Sequence, residues 1–253
     1  MNVDRIKAIH LLESNDNFIR GAEVRPAEST ADSTPIAAID SHAPLLPGSP
    51  RLAELFAPPR DAGAIGFALA QVPQRGGLLW VQDRMSALET GRPYGHAFAR
   101  FGLARDRLVL ACARNAADVL WTMEEGLKCA SLSAIIGEVW GEPRALDFTA
   151  TKRLALRAER QGVHVMLMRF GGAANLSAAR RRWRVGSLPS APHPFDGAAP
   201  GAPRWRAELF RARGERPGIW TASYDEAAHR LHLHTASGDG SLDAEVRRRL
   251  AAG

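Results

Sequence analysis

Four largely continuous apolar runs restrict the fold of this chain more than any other feature of its sequence. They are GLLWVQD at 77–83, RLVLACA at 107–113, SAIIGEVW at 133–140 and GVHVMLMRF at 162–170. Runs that are apolar at consecutive positions are typical of strands covered on both faces, whereas half-exposed strands alternate. The sequence therefore predicts a central sheet with helices on both sides.

Helical patterns separate these runs. The segment between the second and third runs places its apolar residues on one face, namely Ala116, Leu120, Met123 and Leu127. The segment between the third and fourth runs, FTATKRLALRAERQ, predicts a second helix with Gly162 as its C-cap. Strands that alternate with helices imply right-handed crossovers and a mainly parallel sheet. Ahead of the first run, LAELFA at 52–57 has helical spacing, and GAIGFALAQV suits a helix packed on a sheet.

The last third of the chain has a different pattern. WRVGSLP, WRAELFRARG, GIWTASYDE and HRLHLHT alternate with a period of two and are separated by turn-forming residues. We expect them to extend the sheet with antiparallel edge strands or to form a small β appendage. Residues 1–50 are rich in turn formers and predict a flexible N-terminal arm, so 51–253 is the predicted domain.

Arginine supplies nearly all of the positive charge, and the net charge is +6. Guanidinium groups bind phosphate and carboxylate, which favours nucleic acid or an acidic partner, but a GC-rich genome that encodes Arg in place of Lys accounts for the excess equally well. The densest cluster surrounds Trp183 and consists of Arg180, Arg181, Arg182 and Arg184. This cluster is a predicted contact for DNA or a partner. Alternatively, strand alternation sends Trp183 into the core and Arg182 and Arg184 outward.

The C-terminal sequence LDAEVRRRLAAG predicts a short amphipathic helix. Its apolar face holds Leu242, Val246 and Leu250, and the other carries Arg247, Arg248 and Arg249. Such a helix either docks onto a partner or caps the sheet of its own chain.

No catalytic motif is recognisable. A nucleotide-hydrolysing loop needs Gly-Lys-Ser/Thr after a strand, but the corresponding segment, APPRDAGAIGFALA, lacks lysine. Glu138 and Asp83 stand near the C-terminal ends of predicted strands, where a nucleotide-hydrolysing domain carries the acid that binds magnesium. We favour structural roles for both. Arg169 stands where such a domain carries a polar sensor of the γ-phosphate, and an arginine at this place can form a structural ion pair with Glu138 across adjacent strand ends. No cofactor is predicted.

Metal, disulfide and membrane signals are weak. His232 and His234 alternate along one segment without a nearby acid or thiol, which favours a solvated strand face over a metal site. The only cysteines, Cys112 and Cys129, are interpreted as core residues of a protein in a reducing compartment. Because no apolar run reaches about 18 residues, we expect a soluble, cytoplasmic protein without a membrane partner.

Several phrases together resemble the ImuA family. They are LLWVQDRMSALETGRPYGHAFARFGLARDRLVLACARNAADVLWTMEEGLKC, the segment from ASLSAIIGEVWGEPRALDF to RRRWRVGSLPSAPHPFD, and GAPRWRAELFRARGERPGIW. The resemblance implies a RecA-like, SulA-related α/β fold and a setting in SOS-induced DNA damage repair by translesion synthesis. It also implies partners: an ImuB-type Y-family polymerase homologue, an error-prone replicative-type DNA polymerase and RecA. Members of the family often have a glycine-rich segment of the LPGGGLP type before the first helix. This chain has LLPGSPRLAELF at that place, with a single glycine.

The sequence is compatible with three functions. The leading hypothesis is a non-catalytic accessory protein of mutagenesis that binds a polymerase-like partner and RecA. The alternatives are a RecA-like protein that binds DNA and a divergent nucleotide-binding ATPase.

Overall fold

The computed structural model describes residues 51–235 and, ahead of them, the two-residue strand Lys7–Ala8. Most of the predicted arm therefore lies outside the described residues. The predicted docking helix, from Leu242 to Leu250, lies outside them as well.

Within the described residues, all ten strands belong to one sheet. The strands are β1 (Lys7–Ala8), β2 (Leu52–Ala57), β3 (Gly77–Asp83), β4 (Leu108–Ala113), β5 (Leu132–Trp140), β6 (His164–Phe170), β7 (Arg181–Leu188), β8 (Arg204–Ala212), β9 (Gly218–Asp225) and β10 (Arg230–Thr235). The helices are α1 (Ala64–Leu69), α2 (Arg84–Glu89), α3 (Gly95–Arg100), α4 (Ala116–Gly126) and α5 (Phe148–Gln161), and a 3₁₀ turn spans Arg105–Arg107.

The strand order is β1-β4-β3-β5-β6-β2-β7-β8-β9-β10. Strands β4, β3, β5, β6, β2 and β7 run parallel to one another. Strands β8, β9 and β10 continue the sheet in antiparallel hairpins, and β1 is antiparallel to β4. The predicted fold class, a RecA-like α/β domain with a mainly parallel central sheet, flanking helices and antiparallel C-terminal edge strands, is confirmed.

Two apolar cores lie on opposite faces of the sheet. One packs α1 and α3 against the strands and extends as far as β10, with Phe67, Trp80, Trp183 and Trp205 at its centre. The other packs α4 and α5 onto the parallel strands and includes no residue of β8, β9 or β10. The antiparallel strands are therefore covered on one face only by the described helices.

The predicted strands and helices agree closely with the observed ones. β3 has the predicted bounds, and β4, β5 and β6 begin within two residues of prediction. The side chains of Asn115 and Asp147 accept backbone hydrogen bonds at the N-termini of α4 and α5. Gly162 adopts a left-handed conformation, φ 69°, after α5, so the predicted C-cap is confirmed.

The helix predicted at LAELFA is wrong. These residues form β2, which lies between β6 and β7 and is parallel to both. Its Glu54 is completely buried, and its carboxylate binds the guanidinium of Arg182 on β7. A strand buried on both faces need not alternate, and the charged residue in its middle gave the run the appearance of an amphipathic helix.

The two cysteines are free thiols, as the lack of a disulfide pattern predicts. Cys129 is exposed and Cys112 is partly buried, so the prediction that both are core residues is wrong.

Candidate functional site

The loop between β2 and α1 occupies the position at which a phosphate-binding loop would follow its strand. The carboxylate of Asp61, in this loop, accepts three hydrogen bonds. It accepts hydrogen bonds from the backbone N–H of Ser187 at 2.6 Å and from the hydroxyl of Ser187 at 2.5 Å. The backbone N–H of Gly63 also donates to it, at 3.1 Å. The loop therefore supplies its own anion to the donors around it.

Contacts with β7 and β8 fix the start of α1. The indole N–H of Trp205 donates to the carbonyl of Gly63 at 2.7 Å. A Cβ atom on Gly63 would lie 2.1 Å from the hydroxyl oxygen of Ser187, so this close approach requires glycine. The Trp205–Gly63 hydrogen bond and the small size of Gly63 therefore let the loop lie close enough to β7 for Asp61 to bind Ser187.

Glu138, near the end of β5, has no exposed surface. Its carboxylate accepts hydrogen bonds from the indole N–H of Trp80 at 2.5 Å and from the amide of Gln82 at 3.0 Å. The hydroxyl of Thr90 donates to it at 3.3 Å. This agrees with the favoured structural role, although the donors are the side chains of Trp80, Gln82 and Thr90 and not Arg169.

Burial raises the pKa of Glu138 to about 7, although the hydrogen bonds from Gln82, Trp80 and Thr90 oppose the shift. A carboxyl group in this state exchanges its proton near neutral pH. Gln82, which binds this carboxylate through its amide nitrogen, has its Oε1 buried without a hydrogen-bond partner, and the Oγ of Ser86 in α2 is likewise buried without one.

Asp83 and Arg169 also have structural surroundings. The Asp83 carboxylate accepts from the backbone N–H of Ser86 at 2.7 Å and caps α2. The predicted ion pair between Arg169 and Glu138 is wrong, because Glu138 aligns with Met168 in the β5–β6 register and Arg169 is one residue further on. Consecutive residues of a strand point to opposite faces. The guanidinium of Arg169 donates to Asn175 at 2.8 Å and lies 4.9 Å from the ring centre of Phe56.

Each arginine of the cluster around Trp183 has its own carboxylate. The N···O distances are 2.6 Å for Arg180–Glu159, 2.6 Å for Arg181–Glu215, 2.6 Å for Arg182–Glu54 and 2.9 Å for Arg184–Glu208. Alternation along β7 separates the four side chains. They do not form one continuous positive surface.

Burial divides these arginines into two groups. The side chains of Arg181 and Arg182 are 9% and 3% exposed, and those of Arg180 and Arg184 are 26% and 52% exposed. Trp183 is fully buried, as the core alternative predicts, whereas the outward position expected for Arg182 is wrong. Only Arg180 and Arg184 offer a substantial surface to DNA or a partner. The contact itself remains a prediction.

Arg184 stacks on an aromatic ring at the sheet face that the described helices leave uncovered. Its guanidinium lies 4.1 Å from the ring centre of Phe210, which itself contacts the ring of Phe56. Arg206 lies on the same face and 3.7 Å from Glu208. Sequence reasoning missed this stack, because it depends on the pairing of β7 with β8.

A pocket of about 440 Å³ opens between α1, α3 and the strands β7, β8 and β9. Aromatic rings contribute much of its wall, including Phe101, Trp205 and Tyr224. Tyr94 and Arg92 border it from the α2–α3 connection. No sequence pattern predicts this pocket, because its lining residues come from distant segments.

Neither a metal nor a membrane-spanning element is indicated for the part of the chain that the structure describes. No three His, Cys, Asp or Glu side chains are grouped there as a metal site would need. In the same residues, no helix has the length and apolar character required to cross a bilayer.

Strand order, two-sided helical cover and antiparallel edge strands define an α/β protein of the RecA-like class. The chain is 34% identical over 167 residues to proteins named ImuA from two strains of Caulobacter vibrioides, a match that covers 62% of this chain and 64% of each relative. The resemblance to the ImuA family is therefore confirmed. The matched segment spans less than two thirds of those relatives' length. No protein-family model matches the sequence.

Proposed function

We propose that this protein is a non-catalytic accessory factor in SOS-induced translesion DNA synthesis, and that it acts by binding a polymerase-like partner and RecA. The biological setting follows from the similarity to ImuA. The structural observation that supports a non-catalytic role is the position of Asp61 in the β2–α1 loop, where its carboxylate accepts from Ser187 of β7 and from the loop's own Gly63 N–H.

The chemistry of this loop disfavours nucleotide hydrolysis. A phosphate at this place would meet the Asp61 carboxylate, and the segment has Arg60 beside it but lacks the Gly-Lys-Ser/Thr sequence that a phosphate-binding loop needs. Glu138, the acid nearest in role to a magnesium ligand, is fully buried and bound by Trp80 and Gln82. A triphosphate and its metal would have neither a cradle nor an accessible acid.

Binding is the remaining role for such a domain, and it needs exposed surface rather than reactive groups. The helix-free face of β7 to β10 and the pocket beside α1 are two such surfaces. The helix predicted from Leu242 to Leu250 lies outside the described residues and is a third candidate.

A pull-down tests the proposal. The purified chain of residues 1–253 is offered to an ImuB-type polymerase homologue and to RecA, beside a version that ends at Ser241. We expect the full-length chain to retain the polymerase homologue and the shorter one to lose it. If neither version retains either protein, the proposed role is wrong.

Substitutions in the full-length chain separate the two faces of the predicted helix. Replacing Leu242, Val246 and Leu250 by alanine removes its apolar face, and replacing Arg247, Arg248 and Arg249 by alanine removes its charges. If the helix docks through apolar burial, we expect the first set to abolish retention and the second to weaken it in a salt-dependent way.

A RecA partner would be bound through mimicry of one protomer face, so that this chain caps or shortens a filament. We expect equimolar protein to slow RecA-promoted strand exchange. Unchanged rates would exclude capping.

Binding of single-stranded DNA is the second candidate function. The Arg184–Phe210 stack supports it, because bases stack on aromatic rings while guanidinium groups contact phosphates.

A further inference from the structure

The pocket beside α1 has the size and wall chemistry of a binding site. Its volume of about 440 Å³ falls within the range of roughly 300–1,000 Å³ that is usual for ligand pockets. The elements around it are anchored, because Phe67 of α1 and Phe98 of α3 are both buried in the core. The pocket is therefore preformed in the folded domain.

The polar groups of its wall already have partners within the protein. The indole N–H of Trp205 binds the carbonyl of Gly63, and the hydroxyl of Ser187 binds Asp61. The hydroxyl of Thr90 lies 2.7 Å from the carbonyl of Ser86. The wall thus has little directional hydrogen bonding to offer, and an occupant must be recognised mainly by apolar shape.

The charges at the edge of the pocket have one predominant sign. Glu226 is bound by Arg100, with N···O distances of 2.6 and 3.1 Å. Among the described residues, no carboxylate pairs with Arg92 or with Arg204, whose guanidinium binds backbone carbonyls of Pro189 and Ser190. Two uncompensated cations therefore flank an apolar pocket.

We propose that this pocket is the docking site for a peptide segment of a partner protein, one that inserts a bulky apolar side chain and places carboxylates beside Arg92 and Arg204. The proposal deepens the accessory role and rests on it for the identity of the partner. Bulky apolar anchors in preformed pockets carry most of the free energy of such contacts, and the charged edge orients the segment.

Fluorescence anisotropy with labelled hexapeptides tests the pocket directly. The probe is fluorescein-labelled Asp-Glu-Trp-Leu-Phe-Asp. The first control replaces its acidic residues by lysine, and the second replaces its apolar residues by serine. We expect saturable binding of the first peptide to the full-length protein and binding at least about tenfold weaker for both controls, a difference of about 1.4 kcal/mol. Free fluorescein is the dye control.

Matched variants locate the binding. Ala97→Trp fills the pocket from α3, and Ala62→Trp fills it from the opposite wall, whereas Ala99→Trp adds the same side chain to an α3 position that does not line it. Arg92→Glu reverses a charge at the edge, and Arg75→Glu reverses an exposed charge elsewhere. Thermal unfolding by circular dichroism verifies that each variant is folded.

We expect Ala97→Trp, Ala62→Trp and Arg92→Glu each to weaken peptide binding by about tenfold or more, and the two controls to leave it unchanged. Absence of saturable binding, or binding unaffected by both pocket-filling variants, would overturn the proposal. Equal binding of free fluorescein would also overturn it, because the pocket would then take a small aromatic anion.

The pull-down separates this proposal from the accessory role. If wild-type protein retains the polymerase homologue and Ala97→Trp and Ala62→Trp retain it equally well, the accessory role stands and this pocket is not the dock. If wild-type protein retains no partner but binds the peptide at the pocket, the accessory role fails and peptide docking stands.

Discussion

The Nε atom of Arg182 lies 2.6 Å from a carboxylate oxygen of Glu54, and the exposed fractions of the two side chains are 3% and 0%. The pair joins adjacent parallel strands, since Glu54 aligns with Arg182 in the β2–β7 register. The second carboxylate oxygen of Glu54 and one terminal nitrogen of Arg182 are buried without a hydrogen-bond partner. Arg182 is the ion-pair partner of Glu54, and the buried Arg169 is close enough to interact electrostatically with both.

Removing either partner leaves an uncompensated buried charge. We expect Arg182→Met and Glu54→Leu each to lower the free energy of unfolding by about 3–5 kcal/mol. Urea unfolding followed by circular dichroism measures the loss. Arg184→Met, which breaks the exposed pair with Glu208, is the matched control and should cost no more than about 1 kcal/mol.

The double variant with Glu54→Leu and Arg182→Met distinguishes lost pairing from lost packing. Replacing both charges by apolar side chains is often close to neutral. We expect it to recover part of the stability that each single variant loses, and not all of it, because buried Arg169 also loses the nearby Glu54 carboxylate. A double variant less stable than both single variants would show that the guanidinium packing on Phe56 matters more than the charges.

The burial of Arg181 and Arg182 changes how DNA binding must be tested. Substituting them by alanine would disturb the fold, so weaker binding would be uninformative. If the exposed stack contacts DNA, we expect Arg184→Ala to weaken binding of a fluorescent single-stranded oligonucleotide for every sequence tested and to reduce the salt slope by about 1.

Glu208→Gln is the opposing variant, because it frees Arg184 of its carboxylate partner. We expect it to strengthen DNA binding, while Arg75→Ala has no specific effect. Binding that is flat between low and moderate salt, or insensitive to Arg184, would count against this function.

The raised pKa of Glu138 predicts how stability depends on pH. Its value is about 7 in the folded protein against a reference of 4.5, so between these values the folded state holds a proton that the unfolded state has released. The contribution of Glu138 to the free energy of unfolding therefore falls as pH rises from about 4.5 to about 7, by up to about 3 kcal/mol.

Glu138→Gln keeps an oxygen to accept from Trp80 but removes the titration. We expect the variant to gain stability relative to wild type as pH rises from 5.5 to 8, measured by urea unfolding at several pH values. Glu89→Gln, at an exposed position, serves as the control and should run parallel to wild type. A wild-type curve parallel to that of Glu138→Gln would contradict the assignment.

Because the Asp61 carboxylate lies where a phosphate would bind, we predict that Mg-ATP does not stabilise the protein. A ligand at about 100 times its Kd would add about 2.7 kcal/mol to the free energy of unfolding. We expect no increase in Tm at millimolar Mg-ATP. Asp61→Ala should lower stability by about 1 kcal/mol, because it removes the acceptor for Ser187, and should still show no nucleotide effect, since no lysine lies in the loop. A Tm increase in wild type would establish nucleotide binding.

The sequence predicted those strands whose environment is uniform. β3, β5 and β6 are buried among apolar residues on both faces, and continuous apolar runs indicate this directly, whereas β4 keeps its apolar run although Val109 is 49% exposed. β2 was mistaken for a helix because its polar residue, Glu54, is satisfied by a partner 128 positions away. Pairing at that separation leaves no local pattern.

The same reason limited the prediction of the site. The four arginines near Trp183 are adjacent in sequence, but their carboxylates lie on α5, β2, β8 and the β8–β9 turn. In β8, a period of two puts Trp205, Ala207, Leu209 and Arg211 on one side; the first three are buried, but Arg211 is exposed because the β7–β8 register shifts beside Phe210. Whether a charge is free or neutralised depended on tertiary contacts alone.

The position of β2 between β6 and β7 has a consequence for synthesis on the ribosome. β2 is made early, yet both of its neighbours lie between residues 164 and 188. Until that segment leaves the exit tunnel, Leu52, Leu55 and Phe56 have no strand to pair with, and the nascent chain carries an apolar strand with two open edges. Messages or fragments truncated before β7 should therefore yield aggregating chains and not smaller folded domains.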